Sequence, residues 1–225
     1  MGGDSLRLAV PSCNAVGTDS RSGEKLGRPT HRRMPAGRGI MSEITIRQAQ
    51  VRNNGLEYGG FWTNSALVYS RIFKVASSGE SARRDPVAYW TQGSQFEHVI
   101  DSIVGGPPVA ANYEKWRQFA PSLQAPSKRV PVLIEYQAGD PAALEVFESW
   151  TKQGVPAELV LYPGEGHLFH QPKHQFFSMQ RNVDWFSFWL LGQKDGDPAK
   201  TQQYQRWELL KQKISRITPR SKISP

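Results

Sequence analysis

The chain has 225 residues, enough for one domain with tails, and 38% of them are hydrophobic. Its mean hydropathy of -0.53 is low for a chain packed from end to end. The net charge of +8 is unevenly placed: residues 1–41 carry +4, residues 193–225 carry +5, and residues 42–192 carry −1. A nucleic-acid-binding fold concentrates charge on a structured face with aromatics interleaved, so basicity confined to the two ends argues against specific nucleic-acid binding.

Cys13 is the only cysteine, which rules out an intrachain disulfide and fits a reducing compartment. No apolar run approaches the ~18 residues of a membrane span. The start of the chain lacks the roughly 7–15-residue apolar core of a signal peptide. These features read as a soluble, cytoplasmic chain with no membrane partner.

Residues 1–41 are rich in Gly, Ser, Arg and Pro without an apolar period and are expected to be disordered, with Arg32, Arg33 and Arg38 a solvated charge run. Ile44, Ile46, Ala49 and Val51 alternate weakly, as a strand would, and Asn53-Asn54 is expected to interrupt it. From Gly59 the pattern turns helical, with Phe61, Ala66, Leu67 and Tyr69 on one side. Phe73 to Ser77 reads as a short parallel strand. Residues 79–128 hold helical pieces and loops anchored by Trp90, Phe96, Ile100, Ile103 and Trp116.

Val130 to Tyr136 is a buried strand, and Asp140 follows its end. Pro141 to Gln153 reads as a helix, with Pro in the first turn, Leu144, Phe147 and Trp150 as its apolar positions, and Gly154 as its stop. A strand over 157–161 follows. Residues 174–191 show the strongest helical period, through Phe176, Met179, Val183, Phe186 and Leu190, and Gly192 ends it. A further charged helix spans 200–215, and the last ten residues should fray. Alternating strands and helices predict an α/β fold with a parallel sheet and helices on both faces.

Two stretches carry chemistry. Gly55-Leu56-Glu57-Tyr58-Gly59-Gly60 has the spacing of a nucleophile elbow, Gly-x-Ser-x-Gly, with Glu57 at the Ser position. Tyr162-Pro163-Gly164-Glu165-Gly166-His167 is a Gly-rich turn after a strand, the way an α/β-hydrolase presents its general base. The chain order Glu57, Asp140, His167 matches nucleophile, acid and base, and each follows a predicted strand at the carboxyl edge where ligands bind. Asp140 is the best candidate for the acid; a cap on the helix that begins at Pro141 is the competing role for it, and Glu135 and Glu145 are the fallbacks for the acid. His170 and His174 read as loop or surface residues, because no Asp, Glu or Cys set at ligand spacing accompanies them. No metal or cofactor is implied.

Glu57 cannot replace a serine. It would pair with a protonated His167, an attraction of up to about 4 kcal/mol at 4 Å in an effective dielectric of 20 before desolvation is subtracted. Such a pair occupies the base instead of activating a nucleophile. As a nucleophile in peptide hydrolysis, the carboxylate would form an anhydride.

These residues resemble the catalytic domain of the prolyl oligopeptidase family of serine peptidases. The run 55–60 matches the family's Gly-x-Ser-Tyr-Gly-Gly with Glu for Ser, and Gly154 to Leu159 and Pro163 to His167 match its C-terminal end. Asn182 to Phe186, Phe188 to Leu190, and the tail from Asp197 to Trp207 look most like the lasso-peptide isopeptidase branch. Where the family has His-Gly-x-x-Asp, this chain has Tyr136-Gln137-Ala138-Gly139-Asp140 with a shortened loop after it.

The resemblance implies a C-terminal portion of an α/β-hydrolase over residues 42–192. A basic segment (1–41) precedes it and a partly helical charged extension (193–225) follows. It implies peptide or isopeptide hydrolysis through an acyl-enzyme, with position 57 as nucleophile, Asp140 as orienting acid, His167 as base and the Tyr58 N–H as an oxyanion donor. The expected partners are a peptide, such as a lasso peptide, and an absent N-terminal half. With Glu at 57 and the early hydrolase strands missing, the chain is expected to be a truncated and catalytically impaired copy. The alternatives are a non-catalytic peptide-binding module or a gene remnant.

Overall fold

The computed structural model describes residues 52–56, 58–80 and 84–217. The expectations for residues 1–41, for a strand over 44–51, for Glu57 itself and for most of the last ten residues lie outside these. The described chain forms four parallel strands in the order β1 (Arg52–Leu56), β2 (Val75–Gly79), β3 (Val132–Gln137) and β4 (Ala157–Tyr162). The helices are α1 (Tyr58–Tyr69), α2 (Pro86–Thr91), α3 (Ser94–Val104), α4 (Tyr113–Phe119), α5 (Ala142–Lys152), α6 (Pro172–Phe186) and α7 (Thr201–Ile217). A single π-helical turn, Ser187–Leu191, continues α6 and ends at Gly192, which takes φ +69°.

The two-residue period of the strands sorts the core into two layers. Ala76, Val132, Ile134 and Tyr136 pack on one face with Leu67 of α1 and Ala142, Val146 and Trp150 of α5. Val75 and Leu133 point to the other face, against Trp185 and Phe186 of α6 and Tyr204 and Trp207 of α7. Helices thus cover both faces, as the alternating pattern predicts, and the charged segment after 200 is docked rather than free. A third cluster, Tyr89, Ile100, Val104, Trp116 and Ala120, joins α2, α3 and α4.

Four tryptophans are completely buried, and each indole N–H has an acceptor. Trp116 donates to the Gly106 carbonyl at 2.8 Å, and Trp150 to those of Gln124 and Pro121 at 3.1 and 3.2 Å. Trp185 donates to the Ala76 carbonyl at 2.9 Å and Trp207 to Glu158 Oε2 at 2.9 Å. Glu158, on β4, also receives Arg206 at 2.9 Å, so α7 is held to the sheet by ring burial and by an ion pair.

Several sequence expectations are corrected. The first described strand runs straight through Asn53-Asn54, because ladder pairing of Arg52–Leu56 with Val75–Gly79 satisfies the backbone and outweighs the poor strand preference of Asn. The second strand begins two residues later than expected and takes in Ser77, Ser78 and Gly79, all buried or closely packed small residues under the helices. Trp90 and Ile103, expected as anchors, are about half exposed, and Trp90 meets the core only edge-on at the Tyr89 ring, 4.9 Å away.

On α6, Phe176, Met179 and Val183 of the expected apolar stripe are exposed, Phe186 is buried, and the inner side runs through half-buried Ser178 and Asn182 to buried Trp185. The polar half of that inner side serves a carboxylate. Glu135 on β3 accepts from Tyr162 Oη at 2.6 Å, Asn182 Nδ2 at 2.5 Å and Ser178 Oγ at 3.1 Å. Burial pushes its pKa up, and these three donors oppose that.

A pair of acids, buried Asp85 and half-buried Glu145, locks α2 to α5. Asp85, wholly buried ahead of α2, accepts from the Ser122 amide at 2.9 Å. Glu145 of α5 accepts from the Val87 amide at 2.8 Å and from Ser122 Oγ at 3.1 Å. Burial first, and then the Glu145 charge, raises the Asp85 pKa to about 7 from its ordinary 3.8. The folded state therefore keeps a proton on Asp85 that the unfolded chain releases. Its contribution to stability is full below about pH 4 and is lost as pH rises towards 7. Thermal melts from pH 4 to pH 8 should show the wild type losing stability across this range, and Asp85→Asn should flatten the loss. A parallel pH profile for the two proteins would refute the assignment.

Candidate active site

The carboxyl ends of the four strands form one rim. β1 ends at Leu56 and α1 begins at Tyr58, and the chain folds back sharply between Gly55 and Gly59. The turn is tight. A Cβ on Gly55 would land on the Gly59 carbonyl and come within 2.8 Å of the Gly60 amide nitrogen. Glycine at 55 is required by this close approach. Behind the turn, the rings of Tyr58, Phe61 and Trp62 lie 5.4–6.0 Å from one another, and the Arg84 guanidinium sits 4.3 Å from the centre of the Tyr58 ring.

The base loop follows β4. Glu165, whose side chain is fully enclosed, ties it down: it accepts from the His170 amide at 2.8 Å and the Gln171 amide at 3.2 Å. It also meets Nδ1 of His174 at 2.6 Å and Nδ1 of His170 at 2.9 Å. Burial opposes its charge, but these amides and imidazoles prevail and hold the carboxyl below the usual range. His170 is the exposed loop residue expected, but His174 sits in the first turn of α6 with its ring largely enclosed, because Glu165 draws it in; together they clamp the turn to the start of α6. Gly164, at φ +67°, supplies the left-handed step that brings the chain round.

His167 is three-quarters enclosed, and its Nδ1 lies 3.4 Å from Glu80 Oε2. Sequence reasoning missed Glu80. It comes immediately after β2, is completely buried, and has φ +48°. Its amide donates to the Glu135 carbonyl at 3.0 Å, continuing the β2–β3 ladder, and its Oε1 accepts from the Gln137 amide at 2.6 Å. Burial raises the Glu80 pKa, the Gln137 amide and His167 oppose the rise, and the charge of Asp140 adds to it. The available signal was position alone: a carboxylate one residue past a buried strand, at the same edge as the histidine.

Asp140 also stands at this rim. Its Oδ1 accepts from the Ala142 amide at 2.9 Å, opening α5, and its Oδ2 takes Gln92 Nε2 at 3.3 Å. This is the capping role the sequence also allowed. A hollow of about 320 Å³ lined by Gln92, Gln137, Gly139 and Asp140 opens beside it. Glu135 and Glu145, the other candidates for the acid, are engaged in the networks with Tyr162 and Ser122 described above. Among the described residues no His, Cys, Asp and Glu group is arranged to hold a metal, and no helix is long and apolar enough to cross a membrane.

A tight strand-to-helix turn at Gly55, a histidine loop after the last strand and carboxylates just past the strands between them make the layout of an α/β-hydrolase. The profile of the prolyl oligopeptidase family matches residues 36–193, and the chain belongs to that family. It is 29% identical over 169 residues to the lasso peptide isopeptidase AtxE2 of Asticcacaulis excentricus, a match covering 74% of this chain and 24% of the relative. It is 24% identical to dipeptidyl-peptidase 5 of Porphyromonas endodontalis over 82% of this chain and 28% of the relative. A solved structure of AtxE2 isopeptidase with Astexin3-dC4 bound superposes with a TM-score of 0.65 at 28% identity, covering 73% of this chain and 25% of that one. The chain spans about a quarter of the length of these relatives.

Gly55→Ala should destabilise the protein by about 1–3 kcal/mol, the usual cost of overpacking, read as a lowered denaturation midpoint. An unchanged midpoint would mean that the elbow is not this tight.

Proposed function

We propose that this chain is a hydrolase domain of the serine-peptidase type that keeps the scaffold for acyl transfer and has lost the nucleophile. In this reading position 57 is the nucleophile position, His167 the general base, and the Tyr58 N–H an oxyanion donor at the positive end of α1. Asp140, at the same rim, is the acid the family pattern suggests. The ligand is a peptide or an isopeptide-closed peptide, the class named for the AtxE2 relative.

The observation that carries the reading is Glu57 in an elbow whose packing still demands glycine at 55. A serine hydroxyl there would pass its proton to His167 and attack a carbonyl carbon. An ionised carboxylate has no proton to pass, and its attack on an amide yields an anhydride, which is uphill. The half-exposed rings of Tyr58 and Trp62 beside position 57 favour a second reading, a module that holds peptide without cutting it.

The chain should turn over neither a chromogenic prolyl substrate nor an activated ester above the buffer rate, and a fluorophosphonate probe should leave it unlabelled. Turnover that disappears in His167→Ala would overturn the loss of function. A lasso or linear peptide bound with unchanged affinity in His167→Ala would favour the binding module.

A further inference from the structure

We propose that Glu80, rather than Asp140, is the positioning residue for His167: its carboxylate fixes the imidazole so that Nδ1 carries the proton and Nε2 is left as the basic nitrogen. This inference rests on His167 being the base.

Three features converge on it. Glu80 is the carboxylate that meets the His167 ring, Oε2 to Nδ1 at 3.4 Å, a separation typical of a catalytic contact that tightens only when ligand is bound. Both of its oxygens have assigned roles, because the Gln137 amide holds Oε1 at 2.6 Å and thereby turns Oε2 to the imidazole. Its backbone is left-handed at φ +48°, a conformation that costs a side-chain-bearing residue about 1–2 kcal/mol and that glycine would adopt freely. Strain kept at a buried carboxylate on the rim points to a use for that side chain. Asp140 has its two oxygens on the Ala142 amide and on Gln92, which suits a helix cap.

The substitution Glu80→Gln makes the role visible. The Gln137 amide would still take the side-chain oxygen, which leaves the NH₂ group facing His167. An NH₂ group demands a lone pair on Nδ1, so the ring must switch to the Nε2–H tautomer. Long-range ¹⁵N–¹H NMR reads the tautomer directly. It does not depend on catalysis, so its outcome is separate from the turnover assay above.

At pH 8, ¹⁵N-labelled full-length protein should show His167 in the Nδ1–H form. Glu80→Gln should move its Nδ1 resonance from the protonated to the unprotonated range, while Asp140→Asn leaves it in place. Glu80→Gly relieves the left-handed backbone, which offsets part of the lost Gln137 hydrogen bond, so it should stay folded and still lose the Nδ1–H preference. It therefore tests the proposal if the Gln variant fails to fold. A His167 tautomer that ignores both Glu80 variants, or one that responds only to Asp140→Asn, would overturn the proposal.

Discussion

The parallel register of β2, β3 and β4 is the constraint on which the rest of this molecule depends. Ala76 pairs with Val132, and Val132 with Ala157, so the three strands finish side by side. The residues that follow them, Glu80, Asp140 and the loop bearing His167, therefore emerge on one edge. Hydrogen bonds cross between strand ends to keep them there. The Glu80 amide reaches the Glu135 carbonyl, the Gln137 amide reaches the Glu80 side chain, and the Ala138 amide reaches the Tyr162 carbonyl. Shifting β2 by one residue would turn Glu80 to the other face and leave a buried carboxylate without its amide partner.

The same edge is crowded with negative charge. Burial disfavours ionisation of Glu80, and the Asp140 charge adds to this. Further back, Asp85 and Glu145 repeat the arrangement between α2 and α5. A protein that buries this many carboxylates is using them as acceptors for backbone and side-chain donors, and their raised pKa values favour mildly acidic conditions. In the proposed reading, Glu57 stands at the sequence position where acyl transfer calls for a neutral hydroxyl.

Much of the layout was legible from the residues. The runs 130–136 and 157–161 are continuous and apolar, as strands covered on both faces must be, and the Gly-rich turn before His167 is specific. Other parts were hidden for physical reasons. Arg52–Leu56 is a strand by virtue of its partner, and nothing in Asn53-Asn54 announces it.

On α6 the period and buried Phe186 were legible, but Phe176, Met179 and Val183 face outward, because Ser178 and Asn182 turn inward to serve Glu135, a partner distant in the chain. Glu80 gave no local signal, since Ser-Ser-Gly-Glu-Ser looks like a turn. Its role appears only when Gln137 and His167 arrive from 57 and 87 positions away. Glu165, read at first as part of a Gly-rich turn, proves to be the clamp that sets the loop.

The central claim is the proposed pairing of position 57, as the nucleophile position, with His167, as the base. It can be tested with a thiol. In a Cys13→Ser background, Glu57→Cys places one cysteine at the elbow, and its alkylation by iodoacetamide at pH 6 reports the thiolate fraction. A neighbouring imidazolium lowers a thiol pKa. The account predicts alkylation on the order of tenfold faster than in the same protein carrying His167→Ala. Equal rates in the two proteins would contradict it.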